Sequence, residues 1–547
     1  MEHLYEKLKT YAEGEDYPYH MPGHKRRLYG EMPSEVYKMD VTEIDGFDDL
    51  HCPEGILRDL QERVAKLYGS EESFCLVGGS TAGILSALST ALPEGGHLLM
   101  ARNCHKSAYH AAYLRKLKVT YLMPTMPEEF GICDGIRPKQ VQKALEADPG
   151  IQAVLIVSPT YEGRISPVRE IAEIVHRYGK ILIVDEAHGA HLGLSGNSGF
   201  AENSCQAGAD LVIHSVHKTL PAMTQTALLH VNGERVDRER LRRFLRIYQS
   251  SSPSYVLMAS IDNAITLMEQ DGERLYGEFV RNFSWLTKEL SACKHFRFLA
   301  STEKCFEDRM AASEGKRSEN QMPILEGMSS DRQVGKLAGV EPEKSVVSGV
   351  RQDVGKLVIH AGSSGLTGQQ IYDALREKYR LQLEMAAGEY CLAMFTVGDT
   401  PEGYQRMRDA LLAMDEKVGS SDCDHGKLRA QSAEDETKRS NDHVIREAWD
   451  MPAIQKTPHE TLGMPIIKKT LCEAWDAPWE EVALSECEGR IAAEFVNLYP
   501  PGTPIVVPGE VFTKEIRDAL QRWRDQGLRL RGVTESGEGR VRCLIKS

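Results

Sequence analysis

Three short segments of the sequence place polar, chemically capable residues directly after apolar runs. The run LVIH at 211–214 passes straight into Ser215, Val216, His217, Lys218 and Thr219. Lysine directly after a buried strand is unusual, because an unpaired ammonium is costly to bury. A lysine with a lowered pKa is what a Schiff base needs. Ser215 and His217 alternate with Val216, so both can point to one side and donate to an anion. The run ILIV at 181–184 leads into Asp185, Glu186, Ala187 and His188. An acid there, next to a histidine, can bind a metal, orient a base or pair with a protonated ring nitrogen. The run FCLV ends in Gly78, Gly79, Ser80 and Thr81, with Gly83 beyond. Small residues at a helix start let backbone N–H groups approach an anion, and the hydroxyls add donors. The pattern is not GxxxxGK[ST], so a P-loop is excluded. Each segment alone also fits a bland role: a solvated lysine, a structural aspartate, a glycine-rich turn with a hydroxyl cap.

The elements around these segments give the set its meaning. Strands are expected at Ala153–Val157, Ile181–Val184 and Leu211–His214. Between the first two, VREIAEIVHRYG places Ile171, Ile174 and Val175 on one helical face, with Gly179 as C-cap. Strand, helix, strand in succession implies a mainly parallel sheet covered by helices. Ligands of such sheets bind at the carboxyl ends of the strands, where all three segments lie. Together they offer an anion cradle, an acid at a strand end and a lysine beside Ser and His. Pyridoxal phosphate needs those parts.

Composition sets the frame. The chain has 547 residues, which suggests about three to four domains. Hydrophobic residues are 41% and charged residues 27%, the balance of a folded, soluble protein. A formal charge of −14 argues against a general nucleic-acid binder. The charged start MEHLYEKLKTYAEGEDY lacks a secretory h-region. No apolar run approaches the roughly 18 residues that span a bilayer. The 12 cysteines form no CxxC pair, so no metal site is expected and a reducing cytoplasm is the expected home.

The sequence resembles the bacterial ornithine/lysine/arginine decarboxylases of the fold type I pyridoxal phosphate superfamily. The matching stretches include HMPGHKR at 20–26, DVTEIDGFDDLHCPEG at 40–55, LVGGSTAGI at 76–84, ARNCHKS at 101–107 and VSPTYEG at 157–163. They continue with VDEAHGAHLG at 184–193, GADLVIHSVHKTLPAMTQTALLH at 208–230, QSSSPSYVLMASID at 249–262 and EGRIAAEFVNLYPPGTPIVVPGE at 488–510. The likeness is to the short form, without the receiver-like wing domain of the large inducible enzymes. It implies an α/β chain: a fold type I large domain with a mainly parallel sheet, plus smaller α+β C-terminal domains. The expected divisions are an arm at 1–55, the large domain at 56–295, and a small domain at 296–415 with a polar insertion near 300–350. A linker at 416–450 and a C-terminal domain at 451–547 follow.

Residue by residue, the resemblance makes Lys218 the Schiff-base lysine and Asp185 the acid paired with the pyridine nitrogen. His188 matches a histidine close to the cofactor, and His105 the one that stacks on its ring. Ser80, Thr81, Ser215 and His217 match phosphate contacts. Where the family often has Asn, this chain has Gly78, which leaves a backbone cradle there without a side chain. The implied reaction is decarboxylation of lysine, arginine or ornithine to the amine, with one proton consumed. Lys218 or a nearby histidine is the acid that returns the proton. Glu384 resembles a glutamate near the substrate amine, and Glu43, Asp45, Asp48 and Asp49 are further acids for a cationic tail. Ser250–Tyr255 is expected to reach the phosphate site of a second subunit in a homodimer. Acid-stress and polyamine-synthesis roles both fit. An aminotransferase or lyase of the same fold remains a competing reading. The former needs a carboxylate-binding arginine, for which Arg351 and Arg376 are the candidates. So does a non-catalytic regulatory homologue.

Overall fold

A computed structural model describes residues 3–14, 22, 34–126, 130–194, 200–300, 350–422, 465–498, 504–525, 530–534 and 537–545. Its centre is a seven-stranded sheet. The strands are β1 (Glu72–Leu76), β2 (His97–Ala101), β3 (Lys118–Leu122), β4 (Ala153–Val157), β6 (Ile181–Asp185), β7 (Leu211–His214) and β8 (Ala227–Val231). β5 (Arg164–Ile165) lies outside this sheet. The order is β1-β8-β7-β6-β4-β2-β3. The pairs β2–β3, β2–β4, β4–β6 and β6–β7 are parallel, and β8 runs against both β1 and β7. Every strand but β8 therefore ends at the same edge. The strands read as near-continuous Val, Ile and Leu runs because helices cover both faces.

The helix Val168–Arg177 buries Ile171, Ile174 and Val175 against this sheet, and Gly179 follows its last turn at φ +66. The long helix Tyr255–Leu290 links the large sheet to a four-stranded antiparallel sheet, ordered β12-β13-β11-β9. Those strands are β9 (Arg297–Leu299), β11 (Lys356–His360), β12 (Met385–Ala387) and β13 (Tyr390–Met394). A further strand, β10 (Arg351–Gln352), pairs with β5 and ties this second unit to the large domain. The polar insertion near 300–350 falls almost wholly outside the described residues. The N-terminal stretch contributes packing: helix Leu4–Glu13 buries Leu4 and Leu8 completely, and Leu4 N–H donates to Asp262 Oδ2 at 2.6 Å.

The helix Pro401–Asp422 runs past 416, where the polar composition of the sequence suggests a linker. The reason is local. Buried Met414 and Val418 pack into the core, and Asp415 accepts hydrogen bonds from the backbone N–H groups of Lys294, His295 and Phe296. Toward the end, β14 (Trp479–Ala483) pairs with β18 (Arg540–Leu544), and β15 (Val496–Leu498) lies between β16 (Pro504–Val506) and β17 (Leu530–Arg531). Helix Lys514–Asp525 closes that small core. All ten described cysteines are free thiols. Among the described residues no helix is long and apolar enough to cross a membrane.

Candidate active site

The common edge gathers the residues that the sequence singles out. Asp185 is the last residue of β6, and its register partner Ile213 stands next to it on β7. Ser215 follows β7 as the N-cap of a single turn, Val216–Thr219, which carries His217 and Lys218. Gly78 precedes the 13-residue helix Gly79–Ala91 at the end of β1. Gly79 has φ +69, a conformation that side chains other than glycine rarely adopt, and it aims the first helical N–H groups at the edge. Ser215 Oγ donates to Ser80 Oγ at 3.0 Å, and Thr81 is exposed beside it. His217 Nδ1–H donates to the Thr226 carbonyl at 2.8 Å, which fixes its ring. His105 follows β2 as the N-cap of helix Lys106–Leu114, its Nδ1 accepting from Ser107 N–H.

Electrostatics mark the site. The Lys218 amine has a lowered pKa because burial disfavours the ammonium, an effect that Asp185 and Glu384 partly oppose. Burial raises Asp185, and the Lys218 charge partly offsets that rise at a distance. The Asp185 carboxylate accepts from Ala187 N–H at 3.2 Å. Surrounding protein, then Lys218 and Lys106, push His105 down to about 4. His188 is buried and held well below its usual range by desolvation and by the Lys218 and Lys356 charges. Its Nε2 lies 3.0 Å from Lys218 Nζ. Glu186, next to Asp185, faces away from this edge. It accepts from Ser204 and His214 and is pushed up to about 8 by burial.

The structure also brings in residues that strand-end reading misses. Lys356, the first residue of β11, is 1% exposed, and its Nζ lies 3.1 Å from His188 Nδ1. A lysine opening the fully buried run KLVIH was the available signal. Tyr161 packs on His188, with ring centroids 4.6 Å apart, and its hydroxyl donates to Glu384. Glu384 is therefore at the site and open to solvent.

Other candidates are engaged elsewhere. Asp48 accepts from the N–H groups of Asp49, Glu54, Gly55 and Leu57, and Asp49 from His51 N–H, so both organise the loop before helix Ile56–Tyr68. Ser250 O pairs with His51 Nε2. Arg376 pairs with Asp373 and Glu377 on an exposed helix face. Arg351 is exposed on β10, where it pairs with Ile165. HMPGHKR lies outside the described residues except for Pro22. A cleft of about 800 Å³ lined by Arg238, Arg242, Glu72 and His51 holds none of the predicted site residues.

A family model described as Orn/Lys/Arg decarboxylase, major domain, matches residues 2–400. A second, for the C-terminal domain of the same family, matches residues 464–542. The chain belongs to the Orn/Lys/Arg decarboxylase family. It is an enzyme of that decarboxylase class. The chain is 27% identical over 550 residues to a protein of Bacillus subtilis (strain 168) named arginine decarboxylase, covering 99% of this chain and 97% of that one. It is 30% identical over 529 residues to the uncharacterized protein YaaO of the same organism, covering 95% of this chain and 93% of that one. The solved Francisella novicida lysine decarboxylase LdcF superposes with a TM-score of 0.73 at 19% identity, over 99% of this chain and 81% of that one. Escherichia coli constitutive lysine decarboxylase gives 0.72 at 20%, over 99% and 82%. Those two likenesses show the shared α/β fold with its mainly parallel sheet. Members of the Orn/Lys/Arg decarboxylase family are expected to use pyridoxal phosphate.

Proposed function

We propose that this chain decarboxylates a basic amino acid with pyridoxal phosphate, and that arginine is the first substrate to test. The observation that carries the reading is the gathering of Lys218 and Asp185 at one sheet edge, with a glycine–serine cradle beside them. The residues fit the cofactor. A buried carboxylate with a backbone N–H as partner calls for a cation, which a protonated ring nitrogen provides. The N-terminus of helix Gly79–Ala91, with Ser80, Thr81, Ser215 and His217, suits a phosphate. Lys218 would hold the aldehyde carbon, and His105 would cover a ring face.

When bound, the cofactor supplies an electron sink for the pair released as the carboxylate leaves. The chain's own residues do the rest. Asp185 keeps its partner nitrogen protonated. The Lys218–His188 pair, joined at 3.0 Å, holds the proton that replaces the lost carboxylate. The Glu384 carboxylate, oriented by the Tyr161 hydroxyl, receives the cationic tail of the substrate. Full-length likeness to a protein named arginine decarboxylase supports a guanidinium tail. Arg376 is engaged with Asp373 and Glu377, and the aminotransferase reading has no uncommitted arginine shown at this edge among the described residues. We read the enzyme as a cytoplasmic homodimer in which the exposed serines 250–252 reach the partner's site, whereas Tyr255, buried and donating to the Asp48 carbonyl, stays within its own subunit. Incubation with the cofactor followed by borohydride is expected to fix the cofactor to Lys218, seen as one modified peptide by mass spectrometry. An unmodified Lys218 overturns this reading.

A further inference from the structure

Behind the strand ends that carry the site, a chain of hydrogen bonds crosses the sheet from one strand to the next. Glu186 follows β6, His214 ends β7, His230 lies on β8 and Ser73 on β1, and these strands are neighbours in that order. Ser73 and His230 face each other across the β1–β8 pair. Glu186 Oε2 lies 2.8 Å from His214 Nε2, His214 Nδ1 3.0 Å from His230 Nε2, and His230 Nδ1 2.7 Å from Ser73 Oγ. Ser73 Oγ is in turn 2.8 Å from Ser70 Oγ. Tyr68 covers the chain, its ring centroid 4.7 Å from that of His214 and 4.8 Å from that of His230. Glu186, both histidines and Ser73 are buried, whereas Ser70 is half-buried between exposed Gly69 and Glu71. The chain therefore runs from a buried acid beside Asp185 to the edge of the solvent.

Each link needs one proton. With Glu186 ionised and both rings neutral, every proton points the same way. Ser70 donates to Ser73, Ser73 to His230 Nδ1, His230 Nε2–H to His214 Nδ1, and His214 Nε2–H to the carboxylate. A proton entering at Ser70 reverses the links. Ser73 then donates to Ser70, His230 Nδ1–H to Ser73, and His214 Nδ1–H to His230 Nε2, while one proton lies in the Glu186–His214 bond. Every link is filled in both directions, and the same heavy-atom distances serve both. His230 stays neutral and changes only which nitrogen carries its hydrogen. The surroundings favour uptake. Burial pushes Glu186 up to about 8, against the two Ser204 donors and His191, with Asp353 adding to the rise. Burial holds His214 and His230 far below their ordinary range, and His191 and each other's charge lower them further. Asp185, the Cys205 thiol and the Tyr68 hydroxyl also face Glu186.

We propose that Ser70, Ser73, His230, His214 and Glu186 form a proton relay that takes up one proton from solvent and neutralises the Glu186–His214 pair behind Asp185. Uptake lifts a like charge from the strand end that carries Asp185. The relay needs no cofactor, so its test stands apart from the functional reading. Full-length protein with isotope-labelled histidine is followed by solid-state NMR from mildly alkaline to mildly acidic pH. The ring nitrogen shifts report which nitrogen is protonated, and His230→Gln identifies the His230 signals. In the wild type the hydrogen of a neutral His230 is expected to move from Nε2 to Nδ1 with one midpoint. Glu186→Gln takes up no proton and should hold one His230 tautomer throughout. Ser204→Ala removes a donor to the carboxylate, so the midpoint should rise by about one pH unit.

A purely structural chain keeps one His230 tautomer at every pH. That result in the wild type overturns the proposal, as does a His230 that becomes an imidazolium. A Glu186→Gln protein that still switches overturns it too, as does a Ser204→Ala midpoint that is unmoved or lowered. If Glu186→Gln does not fold, the wild-type and Ser204→Ala series decide. A fixed tautomer alongside a borohydride adduct at Lys218 sinks this inference alone. A moving tautomer without that adduct sinks the reading of function alone.

Discussion

Lys218 and Asp185 carry the reaction as read here, and their replacements should fail differently. Lys218→Ala is expected to lose amine formation by at least ~10³-fold while retaining the fold. Asp185→Asn keeps the shape and removes the negative charge, so kcat should fall by about 10²-fold or more. Glu384→Gln should act mainly on KM, raising it about tenfold, if the carboxylate pairs with the substrate tail as proposed. Steady-state kinetics with arginine and lysine separates these outcomes. Lys218, Asp185 and Ser215 were legible in the sequence because each follows an apolar run, and the sheet turns that linear position into a shared edge. Glu384 was visible through the family likeness alone. Lys356 offered only the signal of a lysine opening a buried run; its meeting with His188 was not visible, since it comes from a different sheet through tertiary packing.

At the scale of elements, the loop before helix Ile56–Tyr68 shows why acidic residues mislead. The sequence offers Asp48 as an acid for the substrate tail, whereas the structure commits its carboxylate to four backbone N–H groups. Burial alone would raise its pKa, but those donors outweigh it and hold the group below the ordinary aspartate value. A depressed acid contributes stability above its unfolded pKa and loses it as pH falls through the folded one. Asp48 sits at φ 69, which asparagine tolerates, so Asp48→Asn isolates the lost acceptor. The variant should be less stable by about 1–3 kcal/mol at neutral pH. The difference should vanish in acid, where Asp48 is itself protonated. Urea unfolding at several pH values checks both. The strand and helix pattern from residue 72 to 231 was readable because apolar runs and amphipathic periods alternate cleanly there. The helical end of Pro401–Asp422 was not, because its burial depends on three backbone donors near residue 295.

Across the whole molecule, the C-terminal unit is clamped onto the helix that His105 caps. Arg102 is buried and donates to Glu510 at 3.0 Å and to the Tyr109 hydroxyl at 2.7 Å. Trp475 packs on Tyr113 and Phe495, and the Tyr113 hydroxyl donates to Asp476. Glu510→Ala leaves a buried guanidinium unpaired, so a loss of about 3–5 kcal/mol is expected. Calorimetry should show the C-terminal transition moving to lower temperature, and activity should fall with it because His105 lies three residues from Arg102. No sequence pattern announces this contact between residues so far apart. The central claim is best tested by product analysis. Cofactor-loaded protein is incubated separately with arginine, lysine and ornithine, with Lys218→Ala as control. The account predicts one amine, formed with an equal amount of carbon dioxide and absent in the variant. No amine from any of the three, despite cofactor bound at Lys218, would contradict it.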